Sequence, residues 1–433
     1  MNFNKDVKVP NLIETRLPTG VKDFLPVKAA KLDYLQNTLR SIYKAWGFRP
    51  VAPAILEDLA VLELGLGSDL RANTFRFDDR QTGRLVAFPP DITPQVARIA
   101  ATRMREMPLP FRLCYNGRVL RHTEQRLGKD REVFQSGVEL IGLSGPEADA
   151  EMIAMAVKCL QSVGANEFTI DIGQVEFLRG ILSDLPLDAA QTLALRTTLT
   201  AKDLSGLQQL LKTLPLSEQQ STELLALPRL YGGRETLDLA RKAITNPASQ
   251  KALDELEKVL EVLTVYGVEQ HITLDLGEMR GFDYHSGLVF QGFLSGFGRA
   301  VCSGGRYDGL TGRYGFSSPA TGFSFNLYNL LFALDRELDG RADEGTDFLL
   351  FSSARDKAPA QRLAATLRNQ GFSVARDIIE RDQAASLDYA RRMHYRYLLV
   401  LEASQQELTL VRTADGVSRN VTQDAIESGQ FKI

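Results

Sequence analysis

Residues 111–142, FRLCYNGRVLRHTEQRLGKDREVFQSGVELIG, constrain the fold of this chain more than any other stretch. Both flanks are rich in β-formers and the middle is charged and glycine-containing, so the segment reads as two strands around a loop, the start of a larger sheet. On the second strand Gln135, Gly137 and Glu139 are two apart and face the same side. Gly137 leaves a gap between an amide and a carboxylate. Such a gap suits a small polar ligand, the carboxylate matching an ammonium or an imidazole N–H. A half-exposed strand whose polar face meets water accounts for the same residues.

The neighbouring segments extend this picture. Residues 28–46 place Leu32, Leu35, Leu39, Ile42 and Tyr43 at helical spacing, and Gly47 closes the run. FRPVAPAILE, TFRFDD and RLVAFPP read as strands and turns, and DITPQVARIAATRM as a helix with Pro94 in its first turn. Residues 146–163 predict a helix and FTIDIG a strand. Between about 180 and 262 the chain turns Leu-rich and helical before strands resume at HITLDLG, so a helical insertion interrupts a β-rich core. After DGRADEG (339–345), a linker, strand and helix alternate and end in a hairpin across Asp415 and Gly416, which predicts a small parallel or mixed domain. The expected divisions are 1–179 and 263–338 for the two parts of the α/β (α+β) core, 180–262 for the insertion and 346–433 for the C-terminal domain.

Composition narrows the function. The chain has 433 residues, 24% of them charged, with a formal net charge of −3. A strongly basic nucleic-acid binder is not expected from that balance. Cys114, Cys159 and Cys302 are too far apart for a C-x-x-C pair and odd in number, which fits a reducing cytosol. No segment approaches the ~20 apolar residues that span a bilayer, and the N-terminus has no signal-peptide pattern. A cytoplasmic protein without membrane contact is expected.

Two further segments carry suggestive chemistry. EMRGFDYHSGLVFQGF sets Arg280, Asp283, Tyr284 and His285 between glycines; an arginine can fork a carboxylate and a tyrosine or histidine can meet a heterocycle. A structural role for the histidine is the competing reading. AVCSGGRYDGL packs three glycines around Arg306, Tyr307 and Asp308, allowing either close backbone approach to a ligand or a plain tight turn. There is no Walker loop, no G-x-G-x-x-G after a strand and no metal-ligand spacing, so neither a metal nor a cofactor is expected.

Taken in order, LPTGVKDFLP, FPPDIT, the charged loop, RGFDYH and SGGRYDGL make the chain resemble the histidyl-tRNA synthetase family of class II aminoacyl-tRNA synthetases over nearly its whole length. The resemblance implies an antiparallel sheet flanked by helices, dimerisation, and a C-terminal domain shaped like an anticodon-binding domain. It also implies histidine contacts at Asp91, Thr93, Gln135, Glu139, Arg280, Tyr284 and His285. Asp91 replaces a usual Glu, and His285 stands where a second Tyr is usual. Arg121 matches the motif-2 arginine and serves either a carboxylate or structure.

The ATP-handling positions depart from the family. Its F-R-x-E reads Leu120-Arg121-His122-Thr123, and its motif-3 helix carries Asn326, Tyr328 and Asn329 where a Gly, a Glu and an Arg are usual. A fixed cation there would stabilise charge on the ATP phosphates, and losing one such group costs about a hundredfold in rate. Tyr328 is expected to fill nucleotide space. A histidine half-site beside a degraded ATP half-site resembles the synthetase-like regulatory branch that pairs with the short catalytic subunit of ATP phosphoribosyltransferase in the first step of histidine biosynthesis. That resemblance implies no catalytic residues, allosteric activation of the partner, feedback by L-histidine, and a homodimer within a hetero-oligomer. An active histidyl-tRNA synthetase is the alternative, and a tRNA-binding scaffold without either ligand a third. Residues 346–433 hold 12 Lys or Arg against 11 Asp or Glu, so tRNA is not an expected partner.

Overall fold

The computed structural model describes residues 16–122, 130–279, 281–282, 284–341, 345–354, 356–402 and 407–428. Two compact units divide at residue 341. The first begins with α1 (Pro26–Ala45), which opens on a proline and buries Leu32, Leu35, Leu39 and Tyr43 along one stripe. Gly47, at φ +84°, turns the chain away from it. Of FRPVAPAILE only β1 (Arg49–Pro50) and the start of β2 (Glu57–Asp58) are strand. Pro50 and Pro53 lack amide donors, so the segment between them cannot sustain a ladder. Helices α2 (Leu59–Gly65) and α3 (Ser68–Ala72) follow, and β3 (Phe75–Asp78) and β4 (Leu85–Phe88) complete a small sheet with β2.

Helix α4 (Thr93–Arg103) leads to the two long strands β5 (Phe111–Leu120) and β6 (Glu132–Ile141). Next come α5 (Pro146–Val163), β7 (Phe168–Gln174) and α6 (Val175–Ser183). The Leu-rich stretch forms α7 (Ala189–Thr200), α8 (Leu204–Leu211), α9 (Glu218–Ala226), the short strand β8 (Tyr231–Gly232), α10 (Thr236–Ala243) and α11 (Pro247–Tyr266). The first unit closes with β9 (Ile272–Asp275), β10 (Leu288–Leu294), β11 (Ala300–Arg306), β12 (Ala320–Asn326) and α12 (Leu327–Ala333).

These strands join in one nine-stranded sheet ordered β1-β5-β6-β12-β11-β10-β7-β9-β8. Its six central strands, β5 to β7 in that order, are antiparallel throughout. Side-chain alternation separates the two faces of β6. Val138 and Leu140 point into the large core with α1 and α5, whereas Val133 and Ile141 join Ile92, Val96 and Ala97 of the α4 side. Gln135 and Glu139 share the parity of this second set, so the sheet's pleat aims both at the space under α4.

In the second unit β13 (Phe348–Ser352), α13 (Ala358–Asn369), β14 (Val374–Arg376), α14 (Gln383–Arg392), β15 (Tyr397–Leu401), β16 (Glu407–Arg412), β17 (Ser418–Thr422) and α15 (Gln423–Glu427) alternate. The sheet is mixed: β14, β13 and β15 are parallel, and β16 and β17 add an antiparallel hairpin whose turn holds Gly416 at φ +78°. No helix among the described residues is long and apolar enough to cross a membrane.

Candidate functional site

A cavity of about 1040 Å³ opens beneath α4 and the insertion. Its floor is the polar face of β6. Glu139 is 1% exposed and Gln135 5%, which rules out a strand face that meets water. Glu139 Oε1 accepts a hydrogen bond from the Tyr115 hydroxyl at 3.1 Å, and Oε2 accepts one from Tyr307. Tyr115 lies opposite Gly137 in the β5–β6 register. A Cβ on Gly137 would stand 2.6 Å from the Tyr115 oxygen, so the gap that glycine leaves is filled by this tyrosine. Burial pushes the Glu139 carboxyl up to about 8 against the pull of the Tyr307, Thr93 and Tyr115 hydroxyls, and neighbouring Asp91 adds to the rise.

Gln135 is committed to the protein itself. Its Nε2 donates to Asp91 Oδ1 at 2.8 Å and its Oε1 accepts from the Ile92 amide at 3.0 Å. It therefore sets the Asp91 carboxylate on the cavity wall just ahead of α4, where Thr93 also stands. Arg121 Nε donates to the Pro90 carbonyl at 2.8 Å, which plants the guanidinium in the same wall.

The loop between β9 and β10 supplies the aromatic side. Tyr284 lines the cavity, and its buried hydroxyl has no hydrogen-bond partner among the described residues. Such an orphan is costly unless a ligand or water completes it. His285 Nδ1 lies 3.2 Å from the Arg306 carbonyl, and burial lowers the ring to about 4, so it is a neutral imidazole. Arg179 of α6 fixes this loop by donating to the carbonyls of Phe282 and His285, the latter at 2.8 Å. Arg280 and Asp283 lie outside the described residues, as does Thr123.

From the SGGRYDGL run only Tyr307 reaches the polar cluster. Arg306 is buried in an ion pair with Asp149 at 2.9 Å and also bonds Asp308 and the Leu143 and Gly145 carbonyls, so it ties β11 to α5. Among the described residues, no group of three or more His, Cys, Asp or Glu could hold a metal ion. All three cysteines are free and buried.

The family model described as histidyl-tRNA synthetase matches residues 20–330. A relative from Syntrophotalea carbinolica, an ATP phosphoribosyltransferase regulatory subunit, is 58% identical over 431 residues, covering 100% of both chains. The chain belongs to the ATP phosphoribosyltransferase regulatory subunit family. The regulatory subunit from Geobacter sulfurreducens is 50% identical over 97% of each chain. Among solved structures, an ATP phosphoribosyltransferase regulatory subunit/histidyl-tRNA synthetase from Bacillus halodurans superposes with a TM-score of 0.80 at 28% identity, covering 91% of this chain and 100% of that one.

Membership of the regulatory subunit family sharpens the reading of the cavity's other half. Asn326 caps α12, accepting from the Tyr328 and Asn329 amides, and Asn329 Nδ2 donates to the Ala300 carbonyl at 2.8 Å. Both asparagines line the cavity with their amides engaged in the fold. Tyr328 does not line it. Its ring packs 4.9 Å from Phe24, and its hydroxyl donates to Glu132 at 2.7 Å, so its bulk is spent on the core rather than on nucleotide space. The insertion contributes an entire stripe of α7, with Leu193, Arg196, Thr197 and Thr200 facing the cavity. Sequence reading missed this wall and Tyr115. The strand register offered a signal for Tyr115, whereas nothing in the Leu-rich block marked α7 as site-facing.

Proposed function

We propose that the chain is a non-catalytic, cytoplasmic subunit that activates the short catalytic subunit of ATP phosphoribosyltransferase and relays feedback by L-histidine, which occupies the cavity. The observation that carries this reading is that Tyr284, whose buried hydroxyl has no partner among the described residues, lines the same cavity as Asp91 and Glu139, where the α12 end offers only amides. Asp91 and Glu139 suit the ligand's ammonium and imidazole, Tyr284 and His285 its ring, and Arg121 or Arg280 its carboxylate. Gln135 and Thr93 support the acidic groups. A homodimer within a hetero-oligomer is the assembly this reading carries, with histidine favouring one state over the other.

Purified chain mixed with the short catalytic subunit should raise its phosphoribosyl transfer, and L-histidine should reverse that gain. Absence of complex, activation and histidine sensitivity together would refute the proposal. Histidine-dependent ATP–pyrophosphate exchange would establish the synthetase reading instead.

A further inference from the structure

Glu139 is held in an unusual way for a buried acid. Each of its oxygens accepts from one tyrosine hydroxyl, Tyr115 on β5 and Tyr307 just after β11. Thr93 lies 3.4 Å from the Tyr115 hydroxyl. The other ionisable groups lining the cavity are Asp91 ahead of α4, Arg121 just after β5, Arg196 of α7, Cys302 of β11, and Tyr284 and His285 of the loop between β9 and β10, with the Gln135 amide on the same strand. On β12, Gly322 is the cross-strand partner of Glu139, and Ser324 and Asn326 also line the cavity. No lysine or arginine among the described residues bonds the carboxyl, and a second acid stands close by.

We propose, resting on the histidine reading above, that Tyr115 and Tyr307 are positioning residues that hold Glu139 as a proton-exchanging group, so that seating the cationic end of L-histidine releases one proton. A buried carboxyl that bonds hydroxyls and no cation among the described residues, with Asp91 close by, favours its protonated form, and the missing charge is supplied when a cation arrives. The Glu139 proton leaves to solvent as the ligand's positive charge enters, so the cluster gains no net charge. The tyrosine hydroxyls favour the ionised carboxylate and set how readily that exchange occurs. By linkage, affinity strengthens as pH rises and levels off once Glu139 is ionised in the empty site.

The test is calorimetric titration of the full chain with L-histidine from about pH 6 to 9, in buffers of different ionisation enthalpy. For the wild type, affinity should fall about tenfold per pH unit below the Glu139 midpoint, with one proton released. Tyr115→Phe and Tyr307→Phe should each move that midpoint up by about one unit, with affinity above it nearly unchanged. Glu139→Gln should remove the pH dependence that the ligand's own titration does not explain. A wild-type curve parallel to that of Glu139→Gln, or Tyr→Phe losses equal at every pH, would overturn the inference. No binding heat at any pH would instead refute histidine as the ligand. In that case carbon-13 titration of the empty protein decides: a Glu139 midpoint near 8 that rises in Tyr115→Phe supports the device, and a midpoint in the ordinary carboxylate range sinks it.

Discussion

Gly322 stands directly opposite Glu139 in the β6–β12 ladder, and a methyl group there would overlap the Glu139 carboxylate. The acid can lie flat on the sheet only because its cross-strand neighbour has no side chain. Gly322→Ala should therefore displace Glu139 from Tyr307, cost about 1–3 kcal/mol in chemical denaturation, and weaken L-histidine binding more than tenfold. Unchanged binding in a folded variant would show that Glu139 does not contact the ligand.

The Arg306–Asp149 pair makes a separate prediction, because it holds β11 to α5 away from the polar cluster. Both side chains are under 10% exposed. Arg306→Ala would leave Asp149 buried without its partner, and burial already raises that carboxyl above its ordinary value. The expected loss is about 3–5 kcal/mol in urea unfolding. A loss under about 1 kcal/mol would mean the pair is solvated in the native state.

How far the sequence could be read depended on whether a signal was local. The period-2 spacing of Gln135 and Glu139 was sufficient to place them on one face, and the starts of α4, with Pro94 in its first turn, and of α5 appear where the residues predict them, while α1 begins two residues ahead of its predicted start. Burial of that polar face was not legible, since it is created by α4 and by Tyr307, distant in the chain. Tyr328 was misread for a related reason. Its motif position suggested the cavity, but Phe24 and Glu132, about two hundred residues or more away along the chain, give its ring and hydroxyl a better place. Composition can announce a helical insertion but not which stripe of it faces a ligand.

His285 should leave its mark on acid stability. Its folded-state value is depressed to about 4 from an ordinary 6.5, so the unfolded chain binds a proton more readily than the native one. Stability contributed by the neutral ring is therefore lost as pH falls from about 6.5 towards 4. Glu139, raised to about 8, acts in the opposite sense, removing stability as pH rises from about 4.5 to 8. Comparing Tm against pH for the wild type and His285→Phe cancels the Glu139 contribution. The variant should be roughly 1 kcal/mol less stable near neutrality through loss of the Arg306 carbonyl bond, and should close that gap below pH 6. A gap constant with pH would show that the histidine is not buried neutral.

Tyr328→Phe separates core from cavity in the nucleotide half. The substitution keeps the ring contacts with Phe24 and Phe134 and removes only the hydroxyl that donates to Glu132. Glu132 retains Arg118 at 3.3 Å, so the acid is not left unpaired. The expected cost is about 1 kcal/mol of stability, with L-histidine affinity unchanged and no ATP–pyrophosphate exchange gained. Recovered nucleotide binding in Tyr328→Phe would mean that the hydroxyl, and not the missing motif-3 cation, closes the site to ATP. With Asn326 and Asn329 still engaged with the backbone, the variant has no new cation for a phosphate, which is why the exchange assay should stay silent.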